Sequence, residues 1–399
     1  MIIKPKFRRF ICITAHPKGC EKNVLNQIDY IKSKSQFTNA RKVLVIGAST
    51  GFGLSSRITS AFGSNASTIG VFFEKPPVHG KTATAGWYNT AAFEKEAHKE
   101  GLYAKSINGD AFSNEIKKQT IKLIKEDFEK VDLVVYSLAS PIRKHPVSGV
   151  QYRSVLKPIK NPYTNKTVDF HTGEVSEITI EPCIDEDIEN TIAVMGGEDW
   201  SIWIDKLKEN NLLANNFKTV AFSYIGQWPT EQIYRNGTIG KAKEHLEQTA
   251  FLITNSLQKI NGKAFVSVNK ALVTQSSSAV PIIPLYISLL YKVMKDEQVH
   301  EGCIEQIYRL FSERLLLDKI PKDSEGRIRI DDFEMRDDIQ NKVSELWDEV
   351  STESLMSIGD LEGYRTDIFN LFGFNINEIN YEKEVDEMVN IPSLENFFT

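Results

Sequence analysis

Short runs of β-type apolar residues alternate along much of the chain with stretches in which apolar side chains recur every three or four positions. Residues 43–46, 68–73, 102–107 and 132–138 form such runs, as a strand buried on both faces of a sheet does. Between the first two, Leu54, Ile58, Ala61 and Phe62 make a helical stripe that Gly63 would end. Residues 91–99 and 115–130 predict further helices. Runs at 218–224 and 264–273 flank a stripe of Ala242, Leu246, Ala250, Ile253 and Leu257. This alternation predicts an α/β fold with a doubly wound parallel sheet.

A short strand at 10–14 and a helix at 21–33, with Val24, Ile28 and Ile31 on one face, precede the alternation. From 141 to about 190 the pattern changes to β-like pieces, 151–156 and 177–180, between Pro, Gly and Asn turns with no long helix. That predicts a substrate-side insertion on the sheet edge where ligands bind in open α/β folds. A helix at 201–212 follows, and helices near 303–317, 335–354 and 358–372 predict a C-terminal extension. The expected organisation is a nucleotide-binding and catalytic domain over residues 1–300, with 301–399 packed on the same body.

The net charge of −5 over 399 residues, with no basic face, argues against a nucleic-acid partner. Cys12, Cys20, Cys183 and Cys303 lack CxxC spacing, so neither a zinc site nor a disulfide framework is expected, and reduced thiols point to the cytoplasm. No signal-peptide pattern opens the chain. The longest apolar stretch, 279–291, is too short to span a bilayer and carries Pro281, Pro284 and Ser288. Asp331, Asp332, Glu334, Asp337 and Asp338 invite a metal reading, but an EF-hand alignment on Gly326 puts Pro321 at the first ligand position. The cluster reads instead as a solvated charged surface, and no metal is expected.

The candidate chemistry begins at KVLVIGASTGFG, residues 42–53, where a strand enters a turn with Gly47, Gly51 and Gly53 and a helix follows at once. A backbone that turns sharply and approaches a pyrophosphate needs glycine, and amides at a helix start face the negative charge. The G-x3-G-x-G spacing resembles the turn of the short-chain dehydrogenase/reductase superfamily, a Rossmann-type fold. Glu74, at the end of the second strand, is placed to accept hydrogen bonds from ribose hydroxyls and to repel a 2′-phosphate, which favours NADH. Lys75 beside it argues the other way. Asp110 follows the third strand in Asn-Gly-Asp-Ala, a sequence that also suits a plain turn. Glu198 and Asp199 read as dipole complement and cap of the helix at 201–212, with a catalytic carboxylate pair as the rival.

Tyr224 ends the fifth strand, and Tyr234 and Lys243 follow it. At about 100° per residue, Lys243 would lie opposite Tyr234 on a continuous helix, so the two can cooperate only if Tyr234 stands outside it. Asn236-Gly237 supplies the break, with Asn236 or Thr238 as cap; Lys241 is the alternative lysine if the helix runs through.

Tyr-x8-Lys, with GASTGFG, FFEK, AGWYNTAAFEK, INGDAFS, YSLASP, MGGEDW, YRNGTIGKAK and HEGCIEQ, resembles the NADH-dependent trans-2-enoyl-ACP and trans-2-enoyl-CoA reductases. The resemblance implies reduction of the carbon–carbon double bond of enoyl thioesters in fatty acid biosynthesis. It implies that Gly47, Ala48, Ser49, Thr50, Gly51 and Phe52 hold the pyrophosphate of NADH, Phe73 and Glu74 the adenosine ribose, and Asp110 and Ala111 the adenine. Leu138, Ala139, Leu272, Val273 and Thr274 would flank the nicotinamide half. Tyr234 would donate the proton, Tyr224 would contact the substrate, and Lys243 would bind the cofactor and lower the tyrosine pKa. The segment 276–294 would wall an acyl channel, the thioester would arrive on acyl carrier protein or coenzyme A, and a monomer is expected. Phe52 departs from the tyrosine of many members and should only adjust packing. A ketone or alcohol dehydrogenase and a non-catalytic NAD sensor are the alternatives.

Overall fold

The computed structural model describes residues 1–8, 11–38, 40–138 and 140–397, with the backbone alone at 279 and 395–397. Seven parallel strands form the central sheet: β1 (Lys42–Ile46), β2 (Ser67–Phe72), β3 (Ala104–Asn108), β4 (Val131–Tyr136), β5 (Leu213–Ser223), β6 (Lys263–Val268) and β7 (Ile328–Arg329). Their order is β7-β6-β5-β4-β1-β2-β3. The chain runs outward from β1 to β3, then jumps back to β4, so the order reverses between β1 and β4. In open parallel sheets that reversal opens the ligand crevice at the strands' C-terminal ends.

Both faces of the central strands are covered, which explains their unbroken apolar runs. Leu44, Ile46 and Val134 pack with Trp200, Trp203 and Ile204 on one side. On the other, Val43, Val45, Leu133 and Val135 pack with Ile307, Leu310 and Phe311. Residues beyond 300 are thus part of the sheet's own core.

Several elements differ from expectation at their ends. The first helix spans Pro17–Lys32, because the His16 ring accepts from the Gly19 amide at 3.1 Å and Pro17 suits a first helical position. Of the expected strand at 10–14, Phe10 lies outside the described residues, and Ile11–Cys12 pairs with Phe7–Arg8. The third helix begins earlier, at Ala85. β6 ends at Val268 rather than 273, where its pairing with β5 stops at Ser223; Ser267 and Val268 also pair with the short β7, which the pattern did not announce. The insertion holds two antiparallel hairpins, Ile142–Lys144 with Gln151–Arg153 and Tyr163–Val168 with Val175–Ile180. It closes with an unanticipated helix, Asp185–Met195.

The helix Ile283–Asp296 is apolar nearly all round and buried accordingly. Around it lie the helices Asp337–Glu349 and Leu361–Asn370, which place Val343, Trp347, Tyr364 and Ile368 in one cluster with it. No helix of the described residues is long and apolar enough to cross a membrane.

Candidate active site

At the end of β1, Gly47 adopts φ +87°, and a Cβ there would lie 2.2 Å from the Ser137 carbonyl oxygen beyond β4. A Cβ at Gly53 would lie 1.8 Å from the Gly47 oxygen. The turn is therefore closed to larger residues at both points. At Gly51, φ +52°, a Cβ would meet only the Thr274 methyl, at 3.8 Å. Gly51–Ser64 is a helix whose N-cap, Thr50, makes no side-chain capping bond, so the first-turn amides keep their donors for an anion. That open cradle fits a pyrophosphate.

Glu74 follows β2 and sits under this turn. Ser49 Oγ donates to its Oε1 at 2.6 Å, and a Cβ at Gly86 would come within 2.1 Å of the same oxygen. Asn108 at the end of β3 accepts from the Glu74 amide and donates to its carbonyl, both at 2.9 Å. Burial pushes the Glu74 carboxyl pKa up, opposed by hydrogen bonds from Ser49 and Thr84. Next to it Phe73 is 77 % exposed, a flat apolar side chain beside a polar one.

Asp110 accepts from the Phe112 amide at 2.9 Å, the turn its sequence suited. Lys117 Nζ holds the same loop, donating to the carbonyls of Ala111 at 2.8 Å and Phe112 at 3.0 Å. Leu138 is half-buried, and Ala139 lies outside the described residues.

β5 delivers Tyr224 to the same edge, and the chain then makes a series of turns before the helix Thr238–Ser256. Tyr234 is in those turns, its amide bonded to the Thr230 carbonyl at 2.9 Å, outside the helix that carries Lys243. Gly237 is the N-cap, without a side-chain capping bond; instead the Thr238 amide donates to the Lys157 carbonyl at 3.0 Å, so the insertion takes the capping role expected of Asn236 or Thr238. The Tyr224 and Tyr234 rings stand perpendicular with centroids 4.9 Å apart. Lys243 Nζ donates to the Phe222 carbonyl at 3.0 Å, while Lys241 turns away to Glu244 at 2.9 Å.

Phe52 of the glycine turn packs on Phe222, ring centroids 5.4 Å apart. Phe52, Tyr224 and Tyr234 lie against one apolar cluster that includes Leu272 and Val273. The turn, the two tyrosines and the 272–274 loop thus meet at one end of the sheet. In that loop's continuation, buried Ile282 adopts φ +74°, a strained conformation for a β-branched residue.

Burial pushes the Tyr234 phenol up, and it pushes the Tyr224 phenol well up too, with Glu334 adding to the shift there. Burial pulls Lys243 down to about 8, opposed by Glu247. Burial is what raises Tyr234, and the phenol keeps its proton at neutral pH.

Three carboxylates differ from their sequence reading. Asp199 is not a helix cap but a buried ion-pair partner, 2.7 Å from Lys117 Nζ and 3.1 Å from the Tyr136 hydroxyl. The acidic cluster is not a solvated surface throughout, because Asp331 and Glu334 are buried. Asp331 pairs with Arg329 through bonds of 2.7 and 2.6 Å, and Glu334 faces Tyr286. Lys117 and Glu334 were both missed, since nothing in their neighbourhoods marks them for burial. Among the described residues no group of three or more His, Cys, Asp or Glu side chains is arranged to hold a metal ion.

Fold and site together define an open parallel α/β protein of the dinucleotide-binding type, with a glycine turn at its switch point and the Tyr224–Tyr234 pair at the same end of the sheet. Residues 81–316 match the model of the trans-2-enoyl-CoA reductase catalytic region, and residues 2–79 that of the NAD(P)H binding domain of trans-2-enoyl-CoA reductase. An enoyl-[acyl-carrier-protein] reductase [NADH] of Flavobacterium johnsoniae is 68% identical over 395 residues, 99% of this chain and 100% of the relative. A trans-2-enoyl-CoA reductase [NADH] of Ruminiclostridium cellulolyticum is 59% identical over 394 residues, again 99% and 100%. The crystal structure of Treponema denticola trans-2-enoyl-CoA reductase in complex with NAD superposes with a TM-score of 0.94 at 50% identity, covering 98% of this chain and 100% of that one. The chain belongs to the trans-2-enoyl-CoA reductase family.

Residues 322–385 match a model described as the enoyl reductase FAD binding domain. The residues do not fit a flavin. Among the described ones there is no strand, glycine turn and helix in succession, and the helices bury their apolar faces against Ile283–Asp296. A Cβ at Gly373 would strike the Cys20 amide nitrogen at 2.5 Å, so that turn is packed on the chain itself.

Proposed function

We propose that this chain reduces trans-2-enoyl thioesters to saturated acyl thioesters with NADH, with Tyr234 as the proton donor. The observation that carries this reading is the meeting of Tyr234, Tyr224 and the 272–274 loop beside a glycine turn that leaves room for a pyrophosphate. Bound NADH supplies the hydride that adds to Cβ of the substrate.

The remaining work belongs to side chains. As the hydride arrives, negative charge grows on the thioester oxygen, and a hydroxyl aimed at that oxygen stabilises it. The raised phenol pKa of Tyr234 keeps it a donor throughout the neutral range. Tyr224, perpendicular to it, offers a second hydroxyl to the same oxygen. Lys243 binds the ribose hydroxyls on the nicotinamide side, and its charge draws the phenol toward ionisation when the enolate must be protonated. Glu74 takes the adenosine ribose and excludes a 2′-phosphate, Phe73 lies beside it, Asp110 and Ala111 receive the adenine, and Leu138 and Ala139 line the nicotinamide half.

The acyl chain lies along the segment 276–294, and the same reading takes the enzyme as a cytoplasmic monomer. The test follows NADH oxidation by the loss of its reduced-nicotinamide absorbance, with crotonyl-CoA and with a long-chain enoyl-ACP in parallel. Turnover of ketoacyl thioesters but not of enoyl thioesters would reject the assignment.

A further inference from the structure

Glu334 sits in the turns between β7 and the helix Asp337–Glu349, in the C-terminal segment, and is 1 % exposed. Burying a carboxylate is costly unless its oxygens are hydrogen-bonded. Oε2 accepts from the Ala271 amide at 2.8 Å. Oε1 accepts from the Tyr286 hydroxyl at 2.7 Å and from the Tyr224 hydroxyl at 3.4 Å. Gln340 Nε2 braces the arrangement, donating to the Glu334 carbonyl at 2.7 Å and to the Tyr286 oxygen at 3.3 Å.

An ionised carboxylate only accepts, so each phenol spends its single proton on it. Tyr286 holds the short bond and is fully buried. The bond from Tyr224 is long, and it is the one for which another acceptor can compete. Ala271 immediately precedes the 272–274 loop. One carboxylate therefore ties the second tyrosine of the site to the loop beside the glycine turn.

We propose that Glu334 is a positioning residue for enoyl reduction: it aims the Tyr224 hydroxyl, fixes the start of the 271–274 loop, and gives up the Tyr224 hydrogen bond to the thioester oxygen as charge grows there. The proposal rests on the reading of Tyr224 as a donor to that oxygen. The other charged groups acting on Glu334 are Lys270 and Asp331, and Tyr234 and Tyr286 act on Tyr224. The carboxylate charge adds to the upward push on the Tyr224 phenol.

A double-mutant cycle of Glu334→Gln and Tyr224→Phe in the full chain, with NADH and crotonyl-CoA, tests it. Glu334→Gln is expected to lower kcat about tenfold alone and less than about twofold in the Tyr224→Phe background, the signature of coupled sites. In a tyrosinate absorbance titration, the phenol lost on adding Tyr224→Phe should ionise at lower pH in Glu334→Gln than in the parent. Equal losses in both backgrounds would overturn the proposal. An unchanged kcat in Tyr224→Phe alone would instead overturn the reading of Tyr224 itself. If circular dichroism shows Glu334→Gln unfolded, Tyr286→Phe replaces it; that variant leaves Oε1 to Tyr224 and should raise its phenol titration, and no rise counts against the proposal.

Discussion

The Lys243 ammonium donates to the Phe222 carbonyl at 3.0 Å, so the helix after the tyrosine loop closes back onto the strand before it. Burial there pulls the lysine down to about 8. The lysine is charged below that value and neutral above it, and the charged form makes the stronger hydrogen bonds to ribose hydroxyls and alone carries the charge that assists a phenol. The rate kcat/KM is therefore expected to fall as pH rises through about 8, and Lys243→Met should remove this limb and weaken NADH binding. A pH–rate profile of both proteins checks it.

Tyr234→Phe keeps the ring that packs on Tyr224 and removes only the hydroxyl. Loss of one donor to a developing oxyanion costs about 10²–10³ in kcat. The variant should bind NADH with unchanged affinity by fluorescence and lose that much turnover of crotonyl-CoA. Full activity would remove Tyr234 from the mechanism.

Glu74 is confined by Ser49 above and Gly86 beside it. Gly86→Ala would put a methyl 2.1 Å from Oε1 and displace the carboxylate. Glu74→Ser removes the charge that repels a 2′-phosphate, and the ratio of the NADPH to the NADH dissociation constant should fall at least about tenfold. Both variants are read by titration of cofactor fluorescence, with Gly86→Ala expected to weaken NADH.

Lys117 and Asp199 form an ion pair of 2.7 Å with both side chains buried. Removing one partner strands the other charge, at about 3–5 kcal/mol. Asp199→Ala should lose that much stability in urea unfolding. The double variant Lys117→Met, Asp199→Leu should recover most of it, because the stranded charge is gone.

The strand runs, the glycine turn and the break ahead of Thr238 were legible because each is a local fact. A strand covered on both faces must be apolar along its length, a turn against a neighbouring carbonyl must be glycine, and Lys243 follows Tyr234 by nine positions whatever surrounds them. Helix ends were less legible: His16 caps its helix with a ring nitrogen, and Gly237 is capped by the distant insertion. The end of β6 depended on where its neighbour β5 stopped pairing with it.

The sequence alone determined the parallel α/β architecture, the place of the nucleotide turn and the tyrosine–lysine spacing, all of which follow from residues near one another in the chain. Only the tertiary structure decided which charges leave water. Glu334 meets Tyr224 across 110 positions and Asp199 meets Lys117 across 82. Burial is a property of what packs around a group, so an acidic run that reads as surface can place one carboxylate behind the site.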